Sequence, residues 1–178
     1  IDEAYVDFGA ESASSLVGKY ENLLVVMTYS KSRSMAGARL GFALASRPII
    51  QDLEKIKYST NPYNVNRLTL KLGEAAVDSD AYFRENARKI MDTRAWTADA
   101  LKKLGFTMPD SKTNFLFIQR EGLDGGLLYR KLKDRGVLIR HFSDPRIAQY
   151  NRVTIGTPEE MAAFLEGVQE IMKEEGLA

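Results

Sequence analysis

Short apolar runs alternate with polar loops through the first 78 residues, and longer amphipathic stretches follow. Leu23-Leu24-Val25-Val26-Met27 is an unbroken apolar run, the pattern of a strand covered on both faces. Residues 40–45 predict a second strand. Pro48 opens a predicted helix through about Lys57, because a first-turn proline lacks only an N–H that the helix does not use. Residues 64–77 predict another helix. Strands alternating with helices define an α/β layer.

From about residue 80 the pattern is that of a smaller α/β unit. A long helix is predicted from Asp80 to Leu104, with Phe83, Ala87, Ile90, Leu101 and Leu104 near one face and Gly105 as its stop. Residues 114–119 predict a strand, and residues 127–135 a helix ended by Gly136. Residues 137–141 and 152–155 predict two further strands. Thr157, Pro158 and Glu160 spell an N-cap, a first-turn proline and a capping box. Met161, Phe164, Leu165, Val168, Ile171 and Met172 then recur at helical spacing, as a stripe facing the core. The expected organisation is residues 1–78 as part of a larger domain and residues 79–178 as a small C-terminal domain with a long linking helix.

The candidate chemistry lies near the start. Asp2-Glu3-Ala4-Tyr5 precedes Thr28-Tyr29-Ser30-Lys31, and Ala36-Gly37-Ala38-Arg39-Leu40-Gly41 follows. Taken singly, Lys31 is a solvated loop lysine, Arg39 a surface ion pair, and Asp2 and Tyr5 the end of a strand. Their order suits pyridoxal phosphate (PLP). Lys31 is the candidate for the covalent Schiff-base link. Arg39 offers a planar fork to the phosphate, with the Thr28 and Ser30 hydroxyls nearby. Asp2 would keep the pyridine nitrogen protonated, which makes the ring an electron sink. Tyr5 would donate to the ring oxygen. The small residues between Lys31 and Arg39 allow a loop that turns both side chains toward one cofactor. An amine reacts only when neutral, so a lysine in this role needs burial or neighbouring cations.

These motifs resemble the fold-type I PLP-dependent aminotransferases over essentially the whole chain. Asn61-Pro62-Tyr63-Asn64-Val65-Asn66, residues 137–142 and Arg152-Val153-Thr154-Ile155-Gly156-Thr157 resemble the histidinol-phosphate branch of that family. The resemblance implies the C-terminal half of such an enzyme: part of the large-domain sheet with its helices, plus the small α/β domain. The half that supplies the phosphate-cradling turn and the ring-stacking aromatic lies upstream in the family. The 178 residues alone are therefore expected to be inactive. The implied reaction is transamination between histidinol phosphate and 2-oxoglutarate, a step of histidine biosynthesis, in a cytoplasmic homodimer. The resemblance also places Tyr58, Asn61 and Tyr63 in a loop near the cleft and the dimer interface.

Arg140 and Arg152 sit in predicted strands among apolar residues. Each reads either as a partly buried cation needing an anion or as a strand-end arginine reaching solvent. By resemblance, Arg152 grips the anionic end of the substrate and Arg140 assists at the phosphate. His141 points to the other face and is given no catalytic role. Two other readings remain: a related PLP enzyme, such as an amino-acid phosphate decarboxylase or another aminotransferase, and a non-catalytic effector-binding domain of a regulator.

Composition narrows the partners. Apolar residues at 44% and charged residues at 28% are ordinary globular values, and 178 residues hold one sizeable core, or one domain and part of another. A net charge of +1 without a basic stripe gives no basis for nucleic acid. There is no cysteine and a single histidine, His141, so neither disulfides nor a transition-metal site are expected. No apolar run approaches the roughly 18 residues of a membrane span.

Overall fold

Side-chain caps set the starts of the helices at Arg67, Gly125 and Pro158 in the computed structural model, which describes residues 1–177. The chain divides into two units, Ile1–Ala87 and a second beginning at Arg88.

The first unit is built on two strands, β1 (Leu24–Thr28) and β2 (Gly41–Ala45), paired antiparallel with Thr28 opposite Gly41. β1 is not covered on both faces as its apolar run suggested. Val25 is fully buried, whereas Val26 is 43% exposed. Helix α1 (Arg47–Thr60) runs three residues beyond its expected end, so Tyr58 lies in its last turn rather than in a loop. Helix α2 (Arg67–Asp78) begins later than expected, because Asn66 caps it by accepting the Thr69 N–H at 2.9 Å.

Helix α3 (Asp80–Lys103) starts in the first unit and ends in the second. Gly105, at φ 82°, turns the chain out of it.

The second unit holds a three-stranded antiparallel sheet in the order β3 (Phe115–Ile118), β5 (Asn151–Thr154), β4 (Arg140–His141). β4 is two residues long, not five. Gly136, at φ 80°, and Val137 direct their N–H groups back to Lys133 O and Leu132 O, closing helix α4 (Gly125–Asp134) instead of extending the ladder. α4 starts at Gly125 because Asp124 accepts the Leu127 N–H at 2.7 Å.

Helix α5 (Pro158–Glu174) carries both halves of its capping box: Thr157 Oγ1 accepts the Glu160 N–H, and Glu160 accepts the Thr157 N–H. Every apolar residue of its expected stripe is buried. Phe164, Val168 and Ile171 join Leu132, Ile118 and Val153 in the core of the unit. Among the described residues no helix is long and apolar enough to cross a membrane.

Candidate active site

In the first unit the acidic start of the chain lies along β1. Glu3 N–H donates to Val26 O at 2.8 Å and Val26 N–H to Ile1 O at 2.9 Å. Asp2 is thereby the parallel bridge partner of Val26, and strand alternation puts Thr28 on the same face. The Glu3 carboxylate is buried and accepts from Ser12 Oγ and Ala13 N–H, both at 2.6 Å. That pair of bonds folds the segment after Tyr5 back on itself and fixes the flanks of Asp2 and Tyr5.

Residues 29–40 form a loop closed by Tyr29 N–H donating to Leu40 O and Met35 N–H donating to Tyr29 O, each at 3.0 Å. Lys31 and Arg39 are both borne on it. Lys31 Nζ sits 5.4 Å from the centre of the Tyr5 ring and, among the described residues, has no hydrogen-bond or ion-pair partner. Thr28 Oγ1 ties the two ends of the loop, accepting the Ser30 N–H at 3.1 Å and donating to Leu40 O at 3.3 Å. Arg39 Nη1 donates to Ala36 O at 3.1 Å, and the guanidinium forms no ion pair among the described residues. Ser34 and Arg39 have φ of 57° and 55°, left-handed values that non-glycine residues adopt at a cost and that concentrate at functional loops.

An amine without an acidic partner, an arginine fork without one, two hydroxyls and a carboxylate without a basic partner make a donor set that fits pyridoxal phosphate. Burial, one of the two settings expected for Lys31, is absent, since its side chain is exposed; the Asp2 side chain is exposed as well.

In the second unit β5 lies between its neighbours, so Phe117, Arg152 and Arg140 form one row across the sheet. The Arg152 guanidinium lies 5.2 Å from the Phe115 ring centre, and its Nε–H is buried with no hydrogen-bond partner among the described residues. Arg140 lies 5.3 Å from the Phe142 ring but is exposed, so only Arg152 meets the expectation of a partly buried cation. Phe117 stacks on Tyr150 at 4.5 Å and meets Phe142 edge-on at 5.9 Å, walling the row with aromatic rings. A guanidinium N–H that is buried and unpartnered among the described residues, beside a second arginine, has the chemistry to receive an anion.

The sequence matches the model of the aminotransferase class I and II family over residues 1–168. The chain belongs to that family. It is 51% identical over 174 residues to the histidinol-phosphate aminotransferase of Brachyspira hyodysenteriae, a match covering 97% of this chain and 49% of that protein. It is similar to the crystal structure of histidinol-phosphate aminotransferase from Sinorhizobium meliloti in complex with pyridoxal-5'-phosphate, with a TM-score of 0.79 and 25% identity. That match covers 97% of this chain and 48% of that one. The enzyme of the same name from Clostridium acetobutylicum shares the fold at a TM-score of 0.85 and 24% identity, over 98% of this chain and 54% of that one. The chain spans about half the length of the curated relatives it matches.

Three residues carry no sequence signal as site residues, yet the structure ties them to the candidate groups. Ser32 Oγ donates to Asp7 Oδ2 at 2.5 Å, and Arg33 bonds Ala76 O and Asp80, on both sides of the α2–α3 junction. Asn151, buried between His141 and Gly125, accepts from His141 Nδ1 at 3.2 Å and donates to Gly125 O at 2.9 Å. That pair sits one residue along from Arg140 and Arg152 and fixes their register.

Proposed function

We propose that the chain is the cofactor-lysine and anion-binding part of a PLP-dependent aminotransferase that exchanges the amino group between histidinol phosphate and 2-oxoglutarate. The observation that carries the reading is Lys31. Its unpartnered amine beside Tyr5 lies on the same closed loop as Arg39, in a chain of this family.

Lys31 would hold the cofactor covalently, Arg39, Thr28 and Ser30 its phosphate, Asp2 its ring nitrogen, and Tyr5 its ring oxygen. When bound, the cofactor supplies an electron sink for the bond broken at the substrate carbon. Lys31 Nζ, once free, would take the proton from the amine-bearing carbon of the substrate and deliver it, as a general acid, to the carbon of the cofactor that receives the amino group. In the second unit Arg152 binds the anionic end of each substrate: the phosphate of histidinol phosphate, or a carboxylate of 2-oxoglutarate and glutamate. Arg140 assists with the phosphate. The working form is a cytoplasmic homodimer, and the 178 residues alone do not turn over.

Borohydride trapping tests the reading. The protein as encoded, at full length, is incubated with PLP, reduced and digested, and the pyridoxyl group is mapped by mass spectrometry. Labelling of Lys31 is expected, together with loss of glutamate formation in Lys31→Ala. Substantial turnover by Lys31→Ala would remove Lys31 from its role. Carbon dioxide release in place of glutamate would reassign the reaction as a decarboxylation.

A further inference from the structure

Lys31 is exposed and its amine is bonded to nothing among the described residues, so its position is set by the residues beside it. On the upstream side, Ser30 N–H is held by Thr28 Oγ1. On the downstream side, Ser32 Oγ reaches Asp7 Oδ2 in the acidic segment. Arg33 makes the longest-range tie. Its Nη1 donates to Ala76 O at 2.5 Å near the end of α2, and its Nη2 donates to Asp80 Oδ1 at 3.0 Å at the start of α3. The central carbon of its guanidinium lies 4.1 Å from the Phe83 ring centre and 5.7 Å from that of Tyr29. Only 17% of the Arg33 side chain is exposed.

Arg33 differs from Arg39 in kind. Its charge is matched by Asp80, which Arg84 also contacts at 2.5 Å, and its fork already serves two acceptors. It is therefore no receptor for an incoming anion. Its planar fork and its stacking face are both engaged, a combination that a lysine cannot reproduce.

We propose that Arg33, held by Asp80, is a positioning residue for Lys31: it fixes the path of the loop two residues beyond the reactive amine, and so the direction in which that amine is presented. The proposal rests on the reading of Lys31 given above. It predicts that loosening the tie alters how Lys31 reacts before any substrate binds.

The test uses the full-length protein with Arg33→Lys, Asp80→Asn and, as a control, Arg84→Gln, which touches Asp80 but not the loop. In the cofactor-free proteins, trace acylation followed by mass spectrometry compares the rate at Lys31 with the rates at Lys55 and Lys131. Arg33→Lys and Asp80→Asn are expected to change the Lys31 rate several-fold relative to the other two lysines, and Arg84→Gln to leave it unchanged. In the loaded enzyme the pH titration of the cofactor's visible absorbance shifts in the first two variants. Their kcat falls by about tenfold or more while KM moves little, since small misplacements of a reacting group are costly.

An unchanged relative rate and an unchanged absorbance titration in folded Arg33→Lys, even with a lowered Tm, would overturn the proposal and leave Arg33 a purely structural residue. Should Arg33→Lys not fold, the same readouts on Asp80→Asn decide the matter. Failure of borohydride to trap wild-type Lys31 would sink the functional reading alone, because the acylation rates still report whether Arg33 positions that amine.

Discussion

Arg140 and Arg152 are register partners on adjacent antiparallel strands, two like charges set directly opposite each other. Such a pair is unfavourable without a counter-ion, and among the described residues neither guanidinium forms an ion pair with a carboxylate. The aromatic rings beside them offer their faces to the two cations but no negative charge.

Inorganic phosphate is therefore expected to raise the Tm of the protein as encoded, at full length, by binding the folded state alone. At a concentration 100 times the dissociation constant, the stabilisation is about 2.7 kcal/mol. Arg152→Ala should abolish the shift and raise KM for the phosphorylated substrate, with a smaller loss for Arg140→Ala. A calorimetric series in phosphate against matched chloride reads it directly, and an undiminished shift in Arg152→Ala would remove that residue from anion binding.

Asn151→Ala should destabilise the second unit by about 1–3 kcal/mol, because it strips the partner from the buried Gly125 carbonyl and from His141 Nδ1. Substrate affinity should fall with it, since the same pair aligns β4 against β5. Urea unfolding gives the first quantity and KM for histidinol phosphate the second. A stability loss with KM unchanged would show that the arginine register does not depend on Asn151.

Asp80 governs an acid-side response. Hydrogen bonds from Arg84 and then Arg33 hold its carboxyl below the ordinary aspartate range. A depressed folded-state value means a contribution that is complete above the unfolded pKa and is lost as pH falls through the folded one. The stability gap between wild type and Asp80→Asn should thus be constant near neutrality and close below about pH 4. Denaturation midpoints across that range measure it. A gap that is flat to the lowest accessible pH would mean that the ion pairs contribute nothing to stability.

Gly125→Ala should be harmful despite the high helix propensity of alanine. A Cβ there would lie 2.7 Å from the carbonyl oxygens of both Ala148 and Gln149, and backbone cannot yield as a side-chain tip does. The expected cost is about 1–3 kcal/mol, as for other overpacked sites. A Tm equal to wild type would show that the turn before β5 can shift freely.

Much of this was legible in the sequence because its cues are local. The capping box at Thr157 and Glu160 and the stripe from Met161 to Met172 define α5 completely. Gly105 ends α3 as expected. What the sequence hid depended on distant partners. Five consecutive apolar residues do not disclose what will lie against each face of a strand, and Val26 is exposed. Residues 137–139 look like strand, yet the N–H of Val137 returns to α4. Arg33 is one arginine in a serine-rich loop, and its acceptors lie 43 and 47 residues away. Motif order singles out Lys31 and Arg39 as candidates. That Arg152 Nε is buried without a hydrogen-bond partner among the described residues is invisible in the sequence, because it is a property of packing alone.

β5 alternates Asn151 and Val153, both buried, with Arg152 and Thr154 on its other face. A slip of one residue against β3 would drive a guanidinium into the apolar interior and turn Val153 out to water. The core of the second unit therefore works as a proofreader: it rejects each misaligned pairing on hydrophobic grounds before any anion is met. Chains that pass the check present their two arginines face to face.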